Sequence, residues 1–180
     1  ILKEAGYTPD TIIESTFTFD IKQQKKHFTR GDFNLPSDRF LLLIVGIRLD
    51  YDVQDDFIKA MKSVIDQGAY LVFAGYFEKY KNLCEEYAFL EENSSFIGYQ
   101  DDILAINELI DLYINPRRLG GGFSIAEAFF KGKPGITINY GDVAAAAGPD
   151  FCVESYQEMV SLIIKYMNDD VFYSDMAKKG

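Results

Sequence analysis

The chain has 180 residues, 48% of them hydrophobic, which is enough apolar material for one well-formed core, so a single domain is the starting expectation. Lys and Arg number 18 against 28 Asp and Glu, a formal charge of -10, so the surface as a whole repels a phosphate-rich polymer and nucleic acid is excluded as an expected partner. Two cysteines do not make the disulfide framework of a small secreted domain, and no apolar run approaches the roughly 20 residues that cross a bilayer, so the expectation is a soluble cytoplasmic protein with no transmembrane segment.

Residues 1–39 show no sustained period. They contain a Tyr7-Thr8-Pro9-Asp10 turn, a short alternating stretch around Phe17 and Phe19, and a Leu35-Pro36-Ser37-Asp38 turn. They read as a connector, the tail of an amino-terminal domain missing from this chain, with residues 40–180 as the domain proper. The start at Ile1 and the stop at Gly180 fit an excised piece of something longer.

From Phe40 the pattern becomes regular. Phe40 to Val45 is an apolar run closed by Gly46, the mark of a strand buried on both faces. Phe57, Ile58, Met61, Val64 and Ile65 then recur at helical spacing, with Gly68 as a stop. Tyr70 to Ala74 is a second strand ending at Gly75, and Phe77 to Leu90 a helix carrying Tyr80, Leu83, Cys84 and Tyr87 inward. Strands follow at Ser95 to Gly98 and Asp111 to Ile114, separated by a helix over Asp102 to Leu109. A helix from Ser124 to Lys131, a strand at Gly135 to Ile138 and a short strand at Phe151 to Val153 come next. The last helix, Tyr156 to Met167, carries a stripe of Met159, Val160, Ile163, Ile164 and Met167. Alternation of this kind requires right-handed crossovers, and the predicted fold is α/β, a Rossmann-like doubly wound parallel sheet of about six strands with helices on both faces.

Ligands of such sheets sit outside the carboxyl ends of the strands, so the loops after strands carry the chemistry. One loop stands apart: Asn115-Pro116-Arg117-Arg118-Leu119-Gly120-Gly121-Gly122-Phe123-Ser124, leading into a helix with Glu127. Three glycines let backbone approach a ligand closely, and Ser124 is placed to cap a helix whose first N–H groups face outward, which makes an anion site. A carboxylate in the first helical turn suits a ribose diol. Ser124-x-x-Glu127 is equally the spacing of a reciprocal capping box, and spacing leaves the two readings open. The loop follows the fourth strand and lacks Gly-Lys-Ser/Thr, so it is not a P-loop, and no Gly-x-Gly-x-x-Gly follows the first strand to bind a nicotinamide cofactor. The single histidine, His27, lies in the connector and reads as solvated or packed, and no His and Cys cluster has metal spacing.

Several segments together resemble the carboxy-terminal domain of GT-B glycosyltransferases, especially the large retaining family 4, over about Phe40 to Asp169. Phe40 to Leu49, FLLLIVGIRL, is similar to that family's first strand and V-G-R-L turn, and Leu71 to Gly75 to its second strand. Ser95 to Tyr99, SFIGY, resembles its F-x-G segment near the nucleotide base. Asp111 to Pro116, DLYINP, resembles the strand before the donor loop, and Gly122 to Pro134, GFSIAEAFFKGKP, the most specific signature.

The resemblance implies a nucleotide-diphosphate sugar as donor substrate, a uridine diphosphate sugar being the expected one, and no cofactor. It implies that Glu127 holds the ribose, that Gly121, Gly122, Phe123 and Ser124 present backbone to the diphosphate, and that Tyr99 or its backbone borders the base, the alternative for this aromatic being plain packing. Arg48, at the V-G-R-L arginine, would act catalytically by neutralising the departing phosphate, or is a surface arginine. The acceptor, a glycan or a lipid-linked or protein acceptor, would be held by the missing amino-terminal domain, the protein lying in the cytoplasm or peripherally at the membrane. Two positions depart from the pattern. The first glutamate of the family's E-x7-E pair falls at Leu119, and the lysine that follows the V-G-R-L arginine is absent from Tyr51 to Asp56. Arg117 or Arg118 is the available replacement for that charge. The rival readings are a non-catalytic glycosyltransferase-like binding or scaffold module, favoured by Leu119, and a GT-B-shaped sugar-nucleotide epimerase or phosphorylase.

Overall fold

The computed structural model describes residues 21–180; the turn expected at Tyr7 to Asp10 and the alternation around Phe17 and Phe19 lie outside the described residues. Six strands form one sheet: β1 (Phe40–Gly46), β2 (Ala69–Gly75), β3 (Ser94–Phe96), β4 (Leu112–Asn115), β5 (Gly135–Ile138) and β6 (Cys152–Val153). All pairings are parallel, in the order β3-β2-β1-β4-β5-β6. The winding reverses between β1 and β4, as in the doubly wound sheet that the sequence predicts. β1 and β2 run in register from Phe40 opposite Ala69 to Gly46 opposite Gly75.

The twofold period of the strands divides the core between two layers. Leu42, Ile44, Leu71 and Phe73 face Phe57, Ile58 and Met61 of α2 (Asp55–Ile65) and Met159 and Ile163 of α7 (Tyr156–Asn168). Leu41, Leu43 and Val72 face the other way, onto Ile106 of α4 (Ile103–Asn107), Ile125 and Ala128 of α5 (Gly122–Phe130) and Val143 of α6 (Gly141–Ala147). Burying a leucine or isoleucine of this kind contributes about 1.5–3 kcal/mol, so the central strands β1, β2 and β4 are held from both sides. α8 (Asp170–Lys179) closes the amino ends of the strands: Tyr173 donates its hydroxyl to the Asp111 carbonyl at 2.7 Å, and Lys179 pairs with Asp150 at 2.7 Å.

Three features differ from the sequence reading. The segment Phe77 to Leu90 is not one helix: α3 spans Tyr80–Glu86, and after Tyr87 the chain turns into a 3-10 segment, Ala88–Leu90, although Tyr80, Leu83, Cys84 and Tyr87 do pack inward as expected. α6, α8 and the single turn α1 (Leu49–Asp52) were not anticipated. α5 begins two residues before Ser124, for a reason given below. The stretch before β1 is tied down: the carboxylate of Asp102 accepts the amides of Lys25 and Lys26 at 2.7 and 2.9 Å, and Arg30 pairs with Asp111 at 3.0 Å. Among the described residues no helix is long and apolar enough to cross a membrane.

Candidate functional site

A cleft of about 850 Å³ opens at the carboxyl end of the sheet, where the winding reverses. Its floor is glycine because nothing larger fits. Gly75, at the end of β2, has φ 130°, and a Cβ there would overlap the carbonyl of Gly46, its partner on β1. The loop after β4 forms the opposite wall. Gly121 takes φ 116°, and a Cβ on it would lie 2.7 Å from Asn115 Oδ1 and 2.9 Å from Arg118 Nη2. Gly120 has open space around it.

That left-handed turn at Gly121 starts the helix. Gly121 is the capping residue of α5, its carbonyl accepts the Ile125 amide at 3.3 Å, and Ser124 already lies within the first turn. Ser124 is therefore not the cap, and the Ser124–Glu127 capping box does not form, because glycine has set the chain helical two residues earlier. Gly121 has no side chain with which to answer the amides that open α5. Glu127 falls one turn further along than expected. It is half-buried on the cleft wall and accepts no hydrogen bond among the described residues. Burial, reinforced by the Asp102 carboxylate and opposed by Lys22, raises its pKa.

The structure gathers the other predicted residues around this cleft. Arg48 caps no helix by its side chain; it is exposed, 6.0 Å over the Tyr51 ring, with no ion pair among the described residues. Tyr99 stacks on Tyr76 at 5.3 Å and 19° and remains half open to solvent. Gly121, Gly122, Phe123 and Ser124 all line the cleft with Arg48, Tyr99 and Glu127. Leu119, where a carboxylate is expected by resemblance, is 64% exposed. His27 lies outside the cleft, its ring mostly in solvent and 3.6 Å from Glu108.

Sequence reasoning did not see the network beneath the loop. Arg118 donates from Nε to Asn115 Oδ1 at 2.7 Å, from Nη1 to Asp52 at 3.2 Å, and from Nη2 to the Val45 carbonyl at 2.6 Å and the Tyr113 hydroxyl at 3.3 Å. It thereby joins the ends of β1 and β4 to α1. Its neighbour Arg117 points elsewhere, 4.5 Å over the ring of Tyr140. The sequence signal for Arg118 was its place beside the glycines: only Gly46 and Gly121 leave room for it, since a Cβ on Gly46 would lie 2.5 Å from Nη1.

The family described as glycosyl transferases group 1 matches residues 25–180. The chain belongs to that family. Comparison with curated proteins finds no match. Among solved structures, this group 1 domain is similar to a glycosyltransferase from Rickettsia africae at 16% identity and TM-score 0.68, over 83% of this chain and 42% of that one. It is similar to HepE of Anabaena, in complex with UDP and glucose, at 18% identity and TM-score 0.65, over 79% of this chain and 42% of that one. It is also similar to the catalytic domain of cholesterol-alpha-glucosyltransferase from Helicobacter pylori at 17% identity and TM-score 0.65, over 78% of this chain and 93% of that one. At these identities the likeness concerns the fold, which is that of the carboxy-terminal half of GT-B glycosyltransferases. The chain spans less than half the length of the first two proteins.

Proposed function

We propose that the chain is the donor-binding half of a glycosyltransferase that transfers a sugar from a nucleotide diphosphate to an acceptor held by an amino-terminal domain. The observation that carries this reading is Glu127, half-buried and without a hydrogen-bond partner among the described residues, one turn beyond the glycine-capped start of α5. A carboxylate held in that state is raised in energy, and a ribose diol supplies the two donors that would satisfy it. The amides opening α5 and the Gly120–Gly122 backbone then meet the diphosphate, where a helix amino terminus favours negative charge. When the bond between the sugar and the β-phosphate oxygen breaks, charge grows on the diphosphate, and these amides together with Arg48 stabilise it. Tyr99, propped on Tyr76, offers a face to the base. A uridine base fits the UDP bound in the Anabaena relative. Residues 1–39 act as the connector, residues 40–180 as the binding unit, and the whole works in the cytoplasm, peripheral to the membrane where the acceptor is lipid-linked.

Calorimetry with UDP and GDP on the chain and on Glu127→Ala tests the proposal. Binding by the wild type that weakens by about tenfold or more in the variant supports it, a loss of about 1.4 kcal/mol. Equal binding, or none to either, sinks it. One observation favours a second reading, a non-catalytic partner module: Leu119 stands exposed where the family places a sugar-binding carboxylate. If that reading holds, the protein joined to its amino-terminal domain releases no UDP from any donor with acceptor present.

A further inference from the structure

We infer that Arg117, and not Arg118, is the arginine that joins Arg48 in the cleft, and that with the ring of Tyr140 it forms a subsite for an oxyanion of the donor beyond the ribose. This rests on the donor-binding reading above. The two arginines are adjacent in sequence and opposite in fate. The Arg118 side chain is 7% exposed, and its guanidinium is shared among Asp52, Asn115, Tyr113 and the Val45 carbonyl, so it has little left to offer a ligand. Arg117 lies on the rim of the cleft with its backbone held, its amide donating to the Tyr156 hydroxyl at 3.0 Å. Its guanidinium rests 4.5 Å over the Tyr140 ring and makes no ion pair among the described residues.

An aromatic face holds a guanidinium through its quadrupole and leaves the N–H fork unused, ready for two parallel bonds to phosphate or carboxylate. In a chain with 28 acidic residues against 18 basic ones, an arginine that meets no carboxylate at the mouth of a cleft is poised for an anion from outside. Two residues further on, Leu119 brings no negative charge to this wall. Asp142 lines the same cleft, and its backbone amide donates to the Leu119 carbonyl at 2.9 Å. Two parts of a donor carry suitable oxygens: the β-phosphate, and the carboxylate of an acidic sugar.

Calorimetry on the full chain with UMP, UDP, UDP-glucose and UDP-glucuronate, for the wild type, Arg117→Ala and Arg117→Lys, separates them. For the β-phosphate, Arg117→Ala weakens UDP and UDP-glucose by about tenfold, the scale of one charge-assisted contact, leaves UMP unchanged, and Arg117→Lys recovers part of the loss. For the sugar carboxylate, UDP and UDP-glucose are unchanged and UDP-glucuronate alone weakens. Equal weakening of UMP and UDP, or no change with any ligand, overturns the inference, and an unfolding midpoint matching the wild type confirms that the variant is folded. If the wild type binds UDP and Glu127→Ala abolishes this while Arg117→Ala is silent, only this inference falls; if the wild type binds no nucleotide, both readings fall.

Discussion

Arg118 and Asp52 form an ion pair with side chains 7% and 12% exposed, so neither charge can turn to water if the other is removed. Arg118→Ala should therefore lower stability by about 3–5 kcal/mol, the usual result of orphaning a buried charge, and denaturant unfolding would show it as a lower midpoint at unchanged slope. Tyr166 is the opposite case. Its hydroxyl is buried with no partner among the described residues, and burial raises its pKa, so Tyr166→Phe should match or exceed the wild-type midpoint. Glu127 couples stability to pH. Its folded pKa lies above its unfolded one because burial disfavours the charge, so the folded chain holds that proton more tightly. The stabilisation from this linkage is complete below the unfolded pKa and is lost as pH rises through the folded value. Glu127→Gln should consequently unfold at a higher temperature than the wild type near neutral pH and lose that advantage in acid, while on the donor-binding proposal, in which the ribose needs the carboxylate, nucleotide affinity rises more steeply with pH in the wild type than in the variant, whose remaining slope is that of the ligand's own phosphate. These positions were unequally legible in the sequence. Glycines before a glutamate at helical spacing mark the cleft, but the Arg118 network joins residues up to 73 positions apart and has no local pattern to betray it.

Among the elements, the strands and amphipathic helices declare themselves because burial imposes a period on them; those that escaped have little or none. α6 is Gly-Asp-Val-Ala-Ala-Ala-Ala, where alanine's helix preference does the work of an apolar stripe. α8 has no fully buried residue, and its signal was the cap, Asp169, whose carboxylate accepts the Phe172 amide at 2.8 Å. Asp169→Ala should cost about 1 kcal/mol, loosening α8 first, a local effect that amide exchange along 170–179 would detect. α5 depends on its first residue in a different way. Ser124 looked like the cap because serine so often is one, whereas the φ of 116° at Gly121 sets the helix going earlier. Gly121→Ala meets both that backbone strain and the contacts with Asn115 and Arg118, so it should destabilise by more than the roughly 1 kcal/mol of an ordinary glycine replacement and abolish nucleotide binding in calorimetry.

For the molecule as a whole, the alternation of strands and helices fixed the class of sheet, and the reversal between β1 and β4 is where the cleft opens. The docking of residues 24–30 was not legible, since it uses backbone amides and long side chains that any sequence could present. On the donor-binding proposal the chain holds one reactant without the geometry for reaction, so incubated with donor and acceptor it should bind nucleotide yet transfer no sugar, and detection of product from this chain alone would contradict that proposal. The closure of the strands' amino ends by α8 brings Gly180 beside the ring of Phe129, at the end of the sheet remote from the cleft. A surface tether joined at that glycine would accordingly hold every molecule with its cleft turned toward the bulk solution, an orientation suited to mass-sensing or single-molecule measurement of whatever enters it.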